Sequence, residues 1–198
     1  MVDLNSLVQL IILFIVILDP LLSFSLFTSY TKKMNKKTRK NCAYLAIGTA
    51  AILCFAVLVL GNNLLNLLST NLNDFRVAGG IILGLLGIEM VMGINFRSNN
   101  EEKSFDEKCA KATATIIGTP VIAGPAAITT IIIASNDYGF LTTGLSVAIV
   151  LAIIGSLFLF SGKVKKIVGK TAMHVASTMM GLVTIAWAVN FIRIGLGI

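Results

Sequence analysis

Apolar runs about twenty residues long alternate with short polar clusters along the whole chain. Six such runs stand out, at about 6–30, 42–61, 76–95, 112–134, 139–161 and 173–196. A bilayer core of about 30 Å takes roughly 20 helical residues, so each run is long enough to cross it. Unpaired backbone amides and carbonyls are too costly in hydrocarbon, which makes these spans helices; the alternating ten-residue segments of a barrel are absent. The first run lacks a basic preface, and its apolar stretch from Leu7 to about Phe27 is too long for a signal peptide. It reads as an uncleaved first span. The pattern therefore predicts an all-α membrane protein of six transmembrane helices.

Composition agrees. Apolar residues make up 56% of the 198 positions and charged residues only 13%, with a mean hydropathy of +0.90. A soluble domain carries about 25% charge, so most of this surface faces something other than water. The net charge of +7 has its source in three loops. Lys32, Lys33, Lys36, Lys37, Arg39 and Lys40 follow the first span. Arg97, Lys103, Lys108 and Lys111 follow the third, and Lys163, Lys165, Lys166 and Lys170 follow the fifth. Only Arg76 and Arg193 fall on the other side. Basic loops stay in the cytoplasm. The expected location is the cytoplasmic membrane, with both termini outside and no nucleic-acid partner.

The loop at 96–111 mixes these bases with Glu101, Glu102, Asp106 and Glu107, and reads as a solvated linker. It divides the chain into 1–95 and 112–198, three spans each. The first span of each half is interrupted by proline, at Asp19-Pro20 and at Pro120 with Gly124-Pro125. The third span of each carries glycines, from Gly79-Gly80 to Gly93 and from Gly181 to Gly195. Aligning Gly80 with Gly181 puts Glu89 opposite Asn190. Because three is odd, related halves must be inverted in the membrane. Inverted three-helix repeats with matching broken helices point to a transporter whose site lies near the midplane. Rocking of the two halves would expose that site alternately.

Asp19 is the residue with the most chemistry to explain. A carboxylate at the bilayer centre costs about 3 kcal/mol on insertion scales, so something must offset it. A local role is available: Asp caps helices and Pro suits the first helical turn. Asp19 would then begin a second half-helix whose face carries Ser23, Phe24, Phe27 and Thr28. A cap at a break also lines a cavity, where the carboxylate could hold a substrate ammonium or a proton. At the second break, amides beyond Pro125 are left without partners at a new helix start, ready for a carboxylate. Thr119, Gly124, Ala126, Ala127, Ile128 and Thr129 accompany it, and the small ones let a ligand approach the backbone. A kinked helix packed closely on its neighbours is the plainer reading of the same residues. Glu89, inside the third span, is either a proton-coupling group or a side chain reaching an aqueous crevice.

Other residues restrict the classes. Cys42, Cys54 and Cys109 make no redox or metal spacing, and one histidine, His174, leaves no metal motif. Lysines are confined to the loops, so no catalytic residues, metal or cofactor are expected, and no enzyme. Gly80, Gly84 and Gly87 read as packing positions, Trp187 as a residue within the bundle and Arg193 as an interfacial anchor. One chain of this size gives no clear pore, although a homo-oligomer could supply a channel for another small solute.

The chain resembles the MarC family of bacterial and archaeal inner-membrane proteins. The likeness rests on Asp19-Pro20, on Arg76-Val77-Ala78-Gly79-Gly80 with Met90, and on Ala123-Gly124-Pro125-Ala126-Ala127-Ile128-Thr129. Val168-Gly169-Lys170, Met180-Gly181-Leu182 and Gly195 extend it to the C-terminus. The resemblance implies a six-helix inverted repeat, similar to the lysine-exporter superfamily, and proton-coupled transport of a small neutral amino acid such as glycine or alanine. By position it implies that Asp19-Pro20 and Gly124-Pro125 are the two helix breaks around the substrate. The candidate substrate-binding residues are Asp19, Pro20, Ser23, Thr119, Gly124, Pro125, Ala126, Ala127, Ile128 and Thr129. Asp19 and Glu89 are the candidate proton carriers. Leu21, Leu22, Ser23 and Phe24 stand where many members have Gly and then Pro, and Ala126 replaces a usual glycine.

Overall fold

The computed structural model describes residues 3–32, 34–67, 71–92, 122–161 and 170–198. The regular elements there are seven helices: α1 (Leu4–Leu18), α2 (Pro20–Tyr30), α3 (Lys36–Leu67), α4 (Leu72–Met92), α5 (Pro125–Tyr138), α6 (Phe140–Leu159) and α7 (Lys170–Leu196). No strand occurs among the described residues. Four helices are long and apolar enough to cross a membrane: Lys36–Gly61 within α3, α4, α6, and Val175–Leu196 within α7. α1 and α2, as far as Thr28, pass the same test only as a pair bent by 44° at Asp19, and taken as one they are the fifth candidate span among the described residues.

These correspond to the first, second, third, fifth and sixth apolar runs. The fourth is represented by α5 alone, whose 14 residues extend about 21 Å and do not cross unaided. Residues 112–121 of that run, with Thr119 and Pro120, lie outside the described residues, as do the 96–111 linker and Gly93.

The surface is that of a protein in lipid. Ile52 and Val59 of α3, Ile81 and Leu85 of α4, Leu141 of α6 and Met179 of α7 point outward and are exposed. Smaller side chains turn inward, as the stripe Cys42, Ala46, Ala50, Cys54 and Leu58 along α3 shows. Three buried hydroxyls bond within their own helices: Thr130 donates to the Ala126 carbonyl at 2.8 Å, Ser146 to Thr142 at 2.8 Å and Thr184 to Met180 at 2.9 Å. Each therefore enters the dry interior already satisfied. At the centre stands α5, in contact with α1, α3, α4 and α6, with Ile131 through Ala134 buried. The stacked rings of Phe27 and Phe158, 4.2 Å apart, join α2 to α6.

The largest helix contact among the described residues is between α4 and α7, which run antiparallel. Glycines make it possible. A methyl group built at Gly80 would come within 2.8 Å of the Ala188 carbonyl oxygen, and one at Gly87 within 2.8 Å of the Gly181 carbonyl. One at Gly195 would meet the Asn73 carbonyl at the same distance. Facing positions recur every seventh residue on both helices, so the backbones stay close along their length. The obstacles are backbone atoms, which cannot rotate aside. Gly87→Ala is therefore expected to lower stability by about 1–3 kcal/mol despite alanine's better helix propensity. Gly48→Ala in α3, where nothing lies within 4 Å, is expected to be neutral or mildly stabilising. Unfolding of the two variants in detergent, measured side by side, checks the contrast.

Candidate functional site

The first break is built by Asp19 alone. Its backbone is left-handed, at φ 36° and ψ 81°, which ends α1; aspartate tolerates this conformation better than most residues. Pro20 then begins α2, and Asp19 caps it: Oδ1 accepts from the amides of Leu21 at 3.2 Å and Leu22 at 3.0 Å. The Ser23 amide closes the first turn on the Asp19 carbonyl at 3.0 Å. The Ser23 hydroxyl donates to the Leu18 carbonyl at 3.1 Å, satisfying one acceptor left open at the end of α1. The capping role read from the sequence is thus present.

It engages only half of the carboxylate. Oδ2 is buried and has no hydrogen-bond partner among the described residues, in a side chain that is 3% exposed. The negative end of the α1 dipole and the positive end of the α2 dipole meet at this residue, with Oδ1 turned to the α2 amides and Oδ2 away from them.

The second break begins α5. Ile122 and Ala123 are buried; Gly124 is extended, at φ −74° and ψ 176°, and occupies the capping position with no side chain to offer. Pro125 takes the first helical position, where its missing donor costs nothing. The Ile128 amide bonds to the Gly124 carbonyl at 3.0 Å, so the amides of Ala126 and Ala127 precede the first regular helical bond. They carry the positive end of the dipole.

The two breaks meet. A small closed cavity is lined by Ile17, Leu18, Asp19, Leu22 and Ser23 from the first, by Ile122, Gly124, Ala126 and Ala127 from the second, and by Leu86 of α4. Its free volume of about 10 Å³ is room for a single water. Around this one small cavity stand a half-used carboxylate and an uncapped helix start.

Of the residues expected at the site, Asp19, Ser23, Gly124, Ala126 and Ala127 line this cavity. Pro20, Pro125, Ile128 and Thr129 do not. Pro20 and Pro125 shape the turns. Thr129 faces α4, where it fills the space that Gly79 leaves open, and its hydroxyl donates to the Pro125 carbonyl at 2.8 Å. Glu89, half-buried on α4, stands one turn beyond Leu86 and outside the lining. Ile17, Leu18, Leu22, Leu86 and Ile122 complete the wall, and nothing in the sequence separates them from other apolar residues of their spans. Arg76, which the charge count leaves isolated, forms an ion pair with Asp137 and ties α4 to the end of α5. Trp187 packs edge-on against Phe191, with ring centres 6.1 Å apart, as a residue within the bundle.

No group of three metal-ligating side chains occurs among the described residues.

The model of the MarC family, described as "MarC family integral membrane protein", matches residues 4–197. A "UPF0056 membrane protein" of Buchnera aphidicola subsp. Baizongia pistaciae is 29% identical over 187 residues, which cover 91% of this chain and 87% of that one. YvbG of Bacillus subtilis is 27% identical over 186 residues, 90% of this chain and 88% of its own. The inner membrane protein YhgN of Escherichia coli is 25% identical over 194 residues, 97% and 96% of the two chains. No solved structure matches significantly.

Proposed function

The chain belongs to the MarC family of integral membrane proteins, and from that premise we propose that it is a secondary transporter of a small neutral amino acid, coupled to protons and not an enzyme. The observation that carries this reading is the meeting of two helix breaks, far apart in sequence, at one buried cavity. A zwitterion matches both ends of it. Its ammonium would pair with Asp19 Oδ2, the oxygen that capping leaves unused. Its carboxylate would accept from the amides of Ala126 and Ala127. Asp19 or Glu89 carries the coupled proton, and the protein sits in the cytoplasmic membrane with both ends outside.

An inverted repeat is part of the proposal, and the α4–α7 register supports it. The alignment of Gly80 with Gly181 is a shift of 101 residues (181 − 80). Applied to the contact of Gly80 with Ala188, the same shift gives Gly181 with Gly87, which is itself a contact. One interhelical pair maps onto the other, as a twofold axis between the helices requires. α3 also packs on α6, the second span of each half, and α1 of the first span touches α5 of the fourth. Interrupted helices around a midplane site fit such a repeat.

The test is counterflow of labelled glycine and alanine in proteoliposomes, with and without a pH gradient. Accumulation that follows the gradient is the expected result. No flux of any small amino acid through folded protein would overturn the reading.

A further inference from the structure

The cavity has a third direction besides its two polar ends, and Leu86 closes it. Of the lining residues, Ile17, Leu18, Leu22 and Ile122 belong to the broken segments themselves, whereas Leu86 alone comes from α4. α4 cannot readily yield. Gly87, the next residue, lies against the backbone of Gly181, and Gly80 against that of Ala188. The wall that carries Leu86 is therefore fixed by α7 from behind, while the side chain, only 8% exposed, projects into the cavity lining.

We propose that Leu86 sets the upper size of the substrate side chain. This rests on the zwitterion reading above. With the carboxylate held at Ala126 and Ala127 and the ammonium at Asp19, the α-hydrogen and the side chain are the parts of an amino acid left to face α4. A free volume of about 10 Å³ holds a water and no amino acid, so the cavity must widen to admit one, and the α4 wall is the side that α7 keeps in place. Truncating Leu86 opens room on a wall that cannot close up behind it. Enlarging Leu86 fills the room that exists.

The experiment uses the purified protein in detergent and reads ligand-induced thermal shift for glycine, alanine, valine and leucine. Leu86→Ala is expected to raise the affinity for valine relative to glycine by roughly tenfold or more, the scale at which an apolar pocket separates side chains by a methylene or two. Leu86→Phe is expected to shift preference the other way, losing alanine before glycine. Leu86→Met, similar in volume, keeps the original order and controls for folding; Leu86→Val gives a smaller change if Leu86→Ala is too unstable to purify. Shifts in the parent protein whose rank order survives Leu86→Ala or Leu86→Val and Leu86→Phe would overturn the size limit and leave the zwitterion site standing. No response of the folded parent to any of the four amino acids would overturn both.

Discussion

Asp19→Asn is expected to abolish accumulation of labelled glycine while the protein remains folded. Asparagine is the informative replacement because Asp19 has two duties and the amide keeps one of them. It tolerates the left-handed backbone at φ 36°, and its side-chain oxygen can accept from the Leu21 and Leu22 amides as Oδ1 does now. What it loses is the negative charge, and with it the second carboxylate oxygen that capping leaves unused. Removing one partner of a buried, hydrogen-bonded charge pair costs about 2–5 kcal/mol, so apparent affinity should fall by at least about 30-fold. Asp19→Ala removes the cap as well, at about 1 kcal/mol, and should lower the unfolding temperature in addition to the flux. Uptake by Asp19→Asn equal to that of the parent protein would remove Asp19 from the site and leave it as a helix cap.

How much of this was legible in the sequence depends on the range of the interaction. The bent first span followed from a two-residue signal, Asp19-Pro20, because cap and proline act within one turn. Five apolar runs emerged as spanning helices because length and hydropathy are properties of a single segment. The start of α5 was readable too, since Gly124-Pro125 is a local instruction to begin a helix. The walls of the cavity were not. Leu22, Leu86 and Ile122 come from three separate segments, and no local feature marks them as neighbours. Thr129 shows the same limit from the other side. It belongs to the segment that carries the second break, yet helical rotation turns it onto Gly79 and away from the cavity. The Arg76–Asp137 pair joins positions 61 residues apart, and each alone reads as an ordinary charge near a helix end. Gly80 and Gly87 of α4 were legible as packing positions, but their partners on α7 were not, and the partners decide what can move.

That last point bears on the transport motion proposed above. The two proposed halves, rocking rigidly against each other, would have to part α4 from α7, because one belongs to each. Their contact through Gly80, Gly87 and Gly181 is part of the most extensive helix pairing among the described residues, with backbone against backbone. A motion that keeps α4 and α7 together, and moves the broken first helices against that pair, leaves this contact intact and still opens the cavity between them. A disulfide distinguishes the two. A Cβ at Gly84 would lie 3.7 Å from the Ala188 Cβ, within the usual range of about 3.5–4.5 Å for a disulfide. In a background with Cys42, Cys54 and Cys109 replaced, the Gly84→Cys/Ala188→Cys protein is expected to cross-link and to keep its counterflow rate when oxidised. Gly79→Cys/Thr129→Cys joins α4 to α5 from Cβ positions 3.1 Å apart, short of that range, so the helices must part by about 0.5 Å to form the bond; once cross-linked, the protein is expected to fall to background and recover on reduction. If the first link also stopped transport, reversibly, α4 and α7 would have to separate during the cycle. If neither link had any effect, α5 would be stationary as well, and the opening of the cavity would fall to α1 and α2.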